Sequence, residues 1–327
     1  MKFSLTDFDL IKYPFQFQKR ALALFSYQHQ NNSVYRSYCD LINISPTEVN
    51  SIKKIPFLPI QFFKSHKVIC ENTTSKFVFE SSKTTDQTPS RHYIEDLNLY
   101  IKSFEKGFKL FYGNIEDFVI LALLPSYLER ENSSLVYMID HLIKKTKNHQ
   151  SGFYLNEIEE LKKTLESLEQ NGQKTLLLGV SFALLNCVEN HAWKLKNTYV
   201  METGGMKGMR KELVRSDLHK ILKEGFKVNN IHSEYGMTEL LSQAYSKGDG
   251  RFYCPPWMNV ITRSLEDPFE LLDSNKIGAI NVIDLANVNS CAFIATQDLG
   301  KTHKNGSFEV LGRFDQAEIR GCNLMVV

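Results

Sequence analysis

The chain has 327 residues, 43% hydrophobic and 23% charged, with 39 basic and 37 acidic side chains for a formal net charge of +2. These proportions fit a globular protein able to bury a core, and the near-neutral balance excludes a dedicated nucleic-acid binder, which needs a basic surplus or stripe. No run approaches the roughly 18 consecutive apolar residues of a membrane span, and Asp7 and Asp9 interrupt the stretch where a signal peptide needs an apolar segment.

Residues 1–70 are rich in aromatics and read as helices, followed by the irregular stretch Ile55-Pro-Phe-Leu-Pro-Ile-Gln-Phe-Phe63. Residues before proline are driven toward extended conformations, so this stretch should lie as a strap over an apolar surface. Phe77-Val-Phe79 reads as a short strand, and a polar run, Glu80 to Ser90, follows it. Tyr93, Leu97, Ile101, Phe104, Phe108 and Phe111 recur at spacings of three and four, which predicts a helix with one apolar face. Next come a buried strand at 118–124, a helix at 133–147 capped by Ser133 or Ser134, and an amphipathic helix at 155–170. Leu176–Val180 and Thr198–Met201 read as strands, each followed by a helix, near 182–190 and at 210–224. Gly225 should close the second of these helices, and Lys227–His232 reads as a further short strand.

Strands alternating with helices imply parallel βαβ units. Beyond Gln243 the helical period vanishes, and strands are expected at 258–265, 279–284, 292–296 and 308–311. The expected fold is therefore α/β, mostly parallel sheet covered by helices, with a smaller β-rich C-terminal portion. The division falls into a body at 1–245, which includes the N-terminal helical segment, and a β-rich subdomain at 246–327.

Chemistry concentrates at Ile231-His-Ser-Glu-Tyr-Gly-Met-Thr-Glu239, where a strand runs into a glycine turn. In open α/β sheets ligands bind beyond the carboxyl ends of strands. There the Thr238 hydroxyl can donate to a phosphate oxygen, the Glu239 carboxylate can hold Mg²⁺, and the Tyr235 ring can cover a flat base. The same residues also suit an ordinary helix N-terminus.

Tyr235-Gly-Met-Thr-Glu239 resembles the Y-G-x-T-E motif of adenylate-forming enzymes. Three more segments follow that superfamily's order. Ser81-Ser-Lys-Thr-Thr-Asp86 with Pro89-Ser-Arg91 resembles its phosphate loop, Gln297-Asp-Leu-Gly300 its T-G-D motif, and Gly312-Arg-Phe-Asp315 with Ile319-Arg-Gly321 its hinge segment. Ile55-Pro-Phe-Leu-Pro59, Leu123–Arg130, Glu202–Gly208 and Arg320-Gly-Cys322 are similar to the acyl-protein synthetase (LuxE-type) branch.

The resemblance implies an ATP- and Mg²⁺-dependent ligase that activates a carboxylic, fatty-type acid as its acyl adenylate and then passes the acyl group to a thiol. It implies that Ser81, Ser82, Lys83, Thr84 and Thr85 face the phosphates, that Gly204, Gly205 and Tyr235 shape the adenine pocket, and that Gly236 belongs to the same nucleotide-binding set. Thr238 would contact the α-phosphate, Glu239 would hold the metal, and Asp298 with Arg313 would bind the ribose. Cys322 is implied as the acyl acceptor, with Arg320 beside it to favour the thiolate.

Two departures stand out. Lys83 and Asp86 occupy places where glycine usually lets the backbone approach a phosphate. The mobile C-terminal domain of typical relatives, with its catalytic lysine, is not expected here, and Lys207 is the candidate substitute, with a plain surface role as the alternative. The other cysteines, Cys39, Cys70, Cys187, Cys254 and Cys291, have no C-x-x-C pairing and are expected as reduced packing residues in the cytoplasm. Two further readings stay open: a ligase serving CoA or a carrier protein with Cys322 idle, and a nucleotide-binding scaffold without turnover. An acyl-transfer or reductase partner protein is also compatible with the resemblance.

Overall fold

The computed structural model describes residues 6–71, 73–82, 88–125, 132–204 and 213–314. The chain opens with helices α1 (Pro14–Asn31) and α2 (Ser33–Leu41), followed by the short strand β1 (Leu58–Pro59), helix α3 (Phe62–Ser65) and strands β2 (Phe77–Glu80) and β3 (Arg91–Ile94). Helix α4 (Leu97–Tyr112) leads into β4 (Val119–Leu123), α5 (Ser134–Thr146), β5 (Gly152–Phe153), α6 (Ile158–Gln170) and β6 (Thr175–Val180). Then come α7 (Ser181–Asn190), β7 (Thr198–Thr203), α8 (Arg215–Phe226), β8 (Ile231–Tyr235) and β9 (Ala244–Ser246). The C-terminal strands are β10 (Arg251–Phe252), β11 (Met258–Arg263), β12 (Ile277–Asp284), β13 (Phe293–Thr302) and β14 (Phe308–Arg313).

The first large sheet has the order β5-β4-β6-β7-β8-β9, parallel except for β9 at one edge. Its inner strands β4 and β6 are buried at every position. Their continuous apolar runs are what two helix-covered faces demand. The second sheet, β10-β14-β13-β12-β11, is antiparallel. The proline strap lies on it as expected, since β1 pairs in parallel with β13, Leu58 opposite Ile294. One edge of β13 is thus shared, by β1 at residues 294–295 and by β14 at 298–302.

Some boundaries differ from the periodic reading. Tyr93 belongs not to a helix but to β3, paired with Val78 of β2. Its spacing from Leu97 is a coincidence of period, and α4 starts where the Asp96 side chain accepts a hydrogen bond from the Asn98 amide. Helix α8 runs through Gly225 and closes at Lys227, which takes the left-handed conformation (φ 59°). Gly225 serves close packing instead, because any Cβ there would collide with the Val188 side chain of α7's last turn. The last strand of the parallel set, β8, lies at 231–235 rather than 227–232. Among the described residues, no helix is long and apolar enough to cross a membrane.

Candidate functional site

Beyond the carboxyl ends of β7 and β8 lies a cleft of about 310 Å³. It gathers Ser81 and Ser82 from the β2–β3 connection, Gly204 after β7, Gly236 to Glu239 after β8, and Asp298 and Arg313 from the antiparallel sheet. Residues separate in sequence therefore meet on one surface. Lys83, Thr84, Thr85, Gly205, Lys207 and Cys322 lie outside the described residues.

The segment after β8 is not a helix N-terminus; residues 236–243 form turns and irregular chain. Three buried side chains from other elements hold it. The Thr238 carbonyl accepts a hydrogen bond from Nδ1 of His92 (2.8 Å), whose Nε2 lies 3.1 Å from Oδ1 of Asn287. Asn287 Nδ2 donates to the Glu239 carbonyl at 2.9 Å. Asp284 accepts from the amides of Leu241 (2.7 Å) and Ser242 (3.0 Å) and from the Ser242 hydroxyl (2.5 Å). With its backbone tied down in this way, the loop can present Thr238 and Glu239 without reorganising. Burial pushes the His92 imidazole down to about 4, so it stays neutral at ordinary pH and holds its tautomer through the Thr238 carbonyl.

Glu239 is itself buried, and desolvation raises its carboxyl above the usual range, opposed by a hydrogen bond from Ser90 and the charge of Arg313. A carboxylate placed so is suited to a cation. Asp298 lies directly opposite Arg313 in the β13–β14 pairing, and Arg313 Nε reaches its Oδ1 at 3.2 Å.

Tyr235 departs from its expected place. It is absent from the cleft wall; its ring packs edge-on against Phe252 and Phe308, and its hydroxyl donates to Asp298 Oδ2 at 2.8 Å. In this position the tyrosine hydroxyl fixes the orientation of the aspartate. Gly204 takes φ 65°, a conformation that favours glycine, and its carbonyl accepts from the Ser181 hydroxyl at 2.9 Å. Ser81 closes the hairpin of β2 and β3, its hydroxyl accepting from the Ser90 amide at 2.9 Å.

Several wall residues had not been singled out in the sequence: Lys64, Thr203, Gln243 and above all Glu234. Glu234 is 8% exposed and accepts a hydrogen bond from the Thr203 hydroxyl. Burial lifts its carboxyl to about 7, against the Thr203 bond and with the Glu202 carboxylate adding to the rise. The one signal for it in the sequence is a carboxylate inside an otherwise strand-like run that leads straight into the motif.

Behind β13 lies a larger, mainly apolar cavity of about 700 Å³, bounded by Ile55, Phe57, Phe269, Leu271 and Ala295. Thr296 and Gln297 line both spaces.

The family profile described as acyl-protein synthetase, LuxE, matches residues 12–327. The chain belongs to the acyl-protein synthetase (LuxE) family. No curated protein matches it. Its fold is that of solved acyl-activating ligases. ATP-bound MatB from Rhodopseudomonas palustris is 16% identical, with a TM-score of 0.54 over 72% of this chain and 47% of that one. A 2-hydroxyisobutyryl-CoA ligase in complex with 2-HIB-AMP is 10% identical, with a TM-score of 0.64 over 93% and 69%. A long-chain-fatty-acid-CoA ligase from Archaeoglobus fulgidus is 15% identical, with a TM-score of 0.52 over 73% and 51%. This LuxE-family chain spans about half the length of the first structures it matches.

Proposed function

We propose that this LuxE-family chain uses ATP to convert a carboxylic acid into its acyl adenylate and then passes the acyl group to a thiol. The observation that carries this reading is the meeting of Thr238, Glu239, Asp298, Arg313, Ser81 and Ser82 in one cleft at the carboxyl ends of the parallel strands. An oxygen of the acid attacks the α-phosphorus, the bond to the bridging oxygen breaks, and pyrophosphate departs. Thr238 donates to the α-phosphate as charge builds there, from a loop that His92, Asn287 and Asp284 keep in place. Asp298, aimed by Tyr235 and Arg313, accepts from the ribose hydroxyls. Glu239 fits a divalent cation, because its buried carboxyl is pushed up by desolvation and a bound Mg²⁺ would favour the ionised form. The ion's contribution would be to neutralise phosphate charge.

In the second step a thiolate attacks the acyl carbon and AMP leaves. Burial pushes the thiols of Cys39, Cys70 and Cys187 up to about 12 and raises those of Cys254 and Cys291 as well. None of these five suits a nucleophile. Cys322 is our candidate acceptor and Lys207 our candidate cation beside the acid. The described cysteines are free, as a cytoplasmic setting requires, and a partner protein is our candidate recipient of the acyl group.

Pyrophosphate exchange into ATP, driven by a panel of carboxylic acids, tests the first step, and absence of exchange with every acid rejects it. Intact-mass measurement after incubation with ATP and acid tests the second step. An acyl adduct on the wild type that is lost from Cys322→Ser supports the assignment, and retention by the variant removes Cys322.

A further inference from the structure

Lys64 reaches the nucleotide cleft on a segment whose course the core fixes. The Tyr35 hydroxyl donates to the Pro56 carbonyl at 2.6 Å, Leu58 and Pro59 pair with β13, and the Ile60 amide donates to the Ala295 carbonyl at 3.0 Å. A single turn follows, in which the Phe63 amide donates to the Ile60 carbonyl and the Lys64 amide to the Gln61 carbonyl. Helical spacing sorts its side chains. Phe62 stacks with His66, four residues on, and Phe63 is buried. Ile60 and Lys64, also four apart, share the face that lines the cleft.

This turn and the motif loop are registered by the same imidazole. The His92 ring stands edge-on to Phe63, 5.7 Å between centroids, while its Nδ1 holds the Thr238 carbonyl. Lys64 and Thr238 thus keep a fixed relation across one buried residue. Beyond the turn, the Lys67 ammonium lies over the Tyr93 ring at 5.4 Å, which keeps the segment against β3. Strand β3 leads out of the hairpin connection that brings Ser81 and Ser82 to the cleft.

Charge says what a lysine does there. The described wall carries the carboxyl groups of Glu80, Glu234, Glu239 and Asp298 and the basic side chains of Lys64 and Arg313. A triphosphate brings several more negative charges into this acidic space. Arg313 already faces Asp298 at 3.2 Å, and its side chain is largely exposed. Lys64 is half-buried. Its ammonium is a compact point charge on a flexible stem, a form suited to phosphate oxygens.

We propose that Lys64 binds the β- and γ-phosphates of ATP, an assignment that rests on the activation reading above. As the acid's oxygen bonds to the α-phosphorus, the electron pair of the breaking bond passes to the bridging oxygen. The Lys64 ammonium then neutralises the charge that gathers on the departing pyrophosphate. Thr238 serves the α-phosphate from the opposite element, and the shared contact with His92 keeps the two in step.

The experiment compares the full chain with Lys64→Met and Lys64→Arg, after melting curves establish that each variant is folded. Calorimetry with Mg²⁺ measures binding of α,β-methylene-ATP, which cannot release pyrophosphate, and of AMP, which lacks the outer phosphates. Lys64→Met should weaken the triphosphate analogue by at least about tenfold and leave AMP within about twofold, while Lys64→Arg restores most of the difference. In pyrophosphate exchange the Met variant should lose roughly 100-fold in kcat, with KM for the acid unchanged. Equal affinity of wild type and Met variant for the analogue overturns the proposal. So does an equal loss for AMP and the analogue, which assigns Lys64 to packing or to the nucleoside end. A rise confined to KM for the acid also overturns it and moves Lys64 to the substrate carboxylate. Selective loss of the analogue by the Met variant, in a chain that exchanges pyrophosphate with no acid, keeps the phosphate role and rejects activation. A wild type that binds no analogue rejects both.

Discussion

The Tyr235 hydroxyl and the Asp298 carboxylate meet at 2.8 Å, tying the end of β8 in the parallel sheet to β13 in the antiparallel one. Hydrogen bonds to charged groups contribute about 1.5–3 kcal/mol. Tyr235→Phe keeps the ring's packing on Phe252 and Phe308 and removes this bond alone. KM for ATP should rise by roughly tenfold, about 1.4 kcal/mol, with a smaller change in kcat, as steady-state exchange kinetics will read.

Glu239→Gln keeps shape and removes charge. Exchange should fall by roughly 100-fold, the order seen when one charge-stabilising group is lost from an active site, and the Mg²⁺ concentration needed for half-maximal rate should rise. Titrating Mg²⁺ after EDTA treatment measures both. An unchanged Mg²⁺ requirement removes Glu239 from any metal role.

Asp284 takes three hydrogen bonds from the 238–243 loop and a fourth from the Ala286 amide, with no exposure to solvent. Asp284→Ala strands these donors and should cost about 3–5 kcal/mol by urea unfolding. Asp284→Asn retains part of the pattern and should cost less.

Glu234 gives the fold a pH dependence of definite sign. Burial lifts its carboxyl from 4.5 to about 7, so between these values the folded chain holds a proton that the unfolded chain has released. The stabilisation is complete below about pH 4.5 and is lost as pH rises through 7, a span of roughly 3 kcal/mol. Glu234→Gln is neutral throughout, so its stability relative to wild type should climb between pH 5 and 8 in parallel denaturant titrations.

Gly225→Ala forces a methyl into Val188. Overpacking of this kind costs about 1–3 kcal/mol, and a second substitution, Val188→Ala, should recover most of it. Additive losses in the double variant would mean that the α7–α8 contact is not what demands glycine.

The parallel body was legible because its inner strands are buried on both faces and so appear as unbroken apolar runs, Val119–Leu123 and Thr175–Val180. The motif order told which loops share a cleft. Long-range partners are what local patterns miss. Nothing near Tyr235 announces that Phe252 and Phe308 will take its ring, and nothing near Thr238 announces His92, Asn287 or Asp284. Tyr93 fitted a helical period yet was claimed by its pairing with Val78. Gly225 looked like a helix stop because the neighbour that needs its missing Cβ lies on another helix.

The shared edge of β13 has a bearing on biogenesis. Strand β1 contributes from residue 58 and β14 from residues up to 313, so this single strand is flanked by segments far apart in sequence, the second translated long after the first. The cleft that Asp298 and Arg313 help to line cannot close until Arg313 has left the ribosome, although the first large sheet is complete by Ser246. Nascent chains stalled just short of residue 308 should therefore carry a formed parallel sheet and bind no ATP.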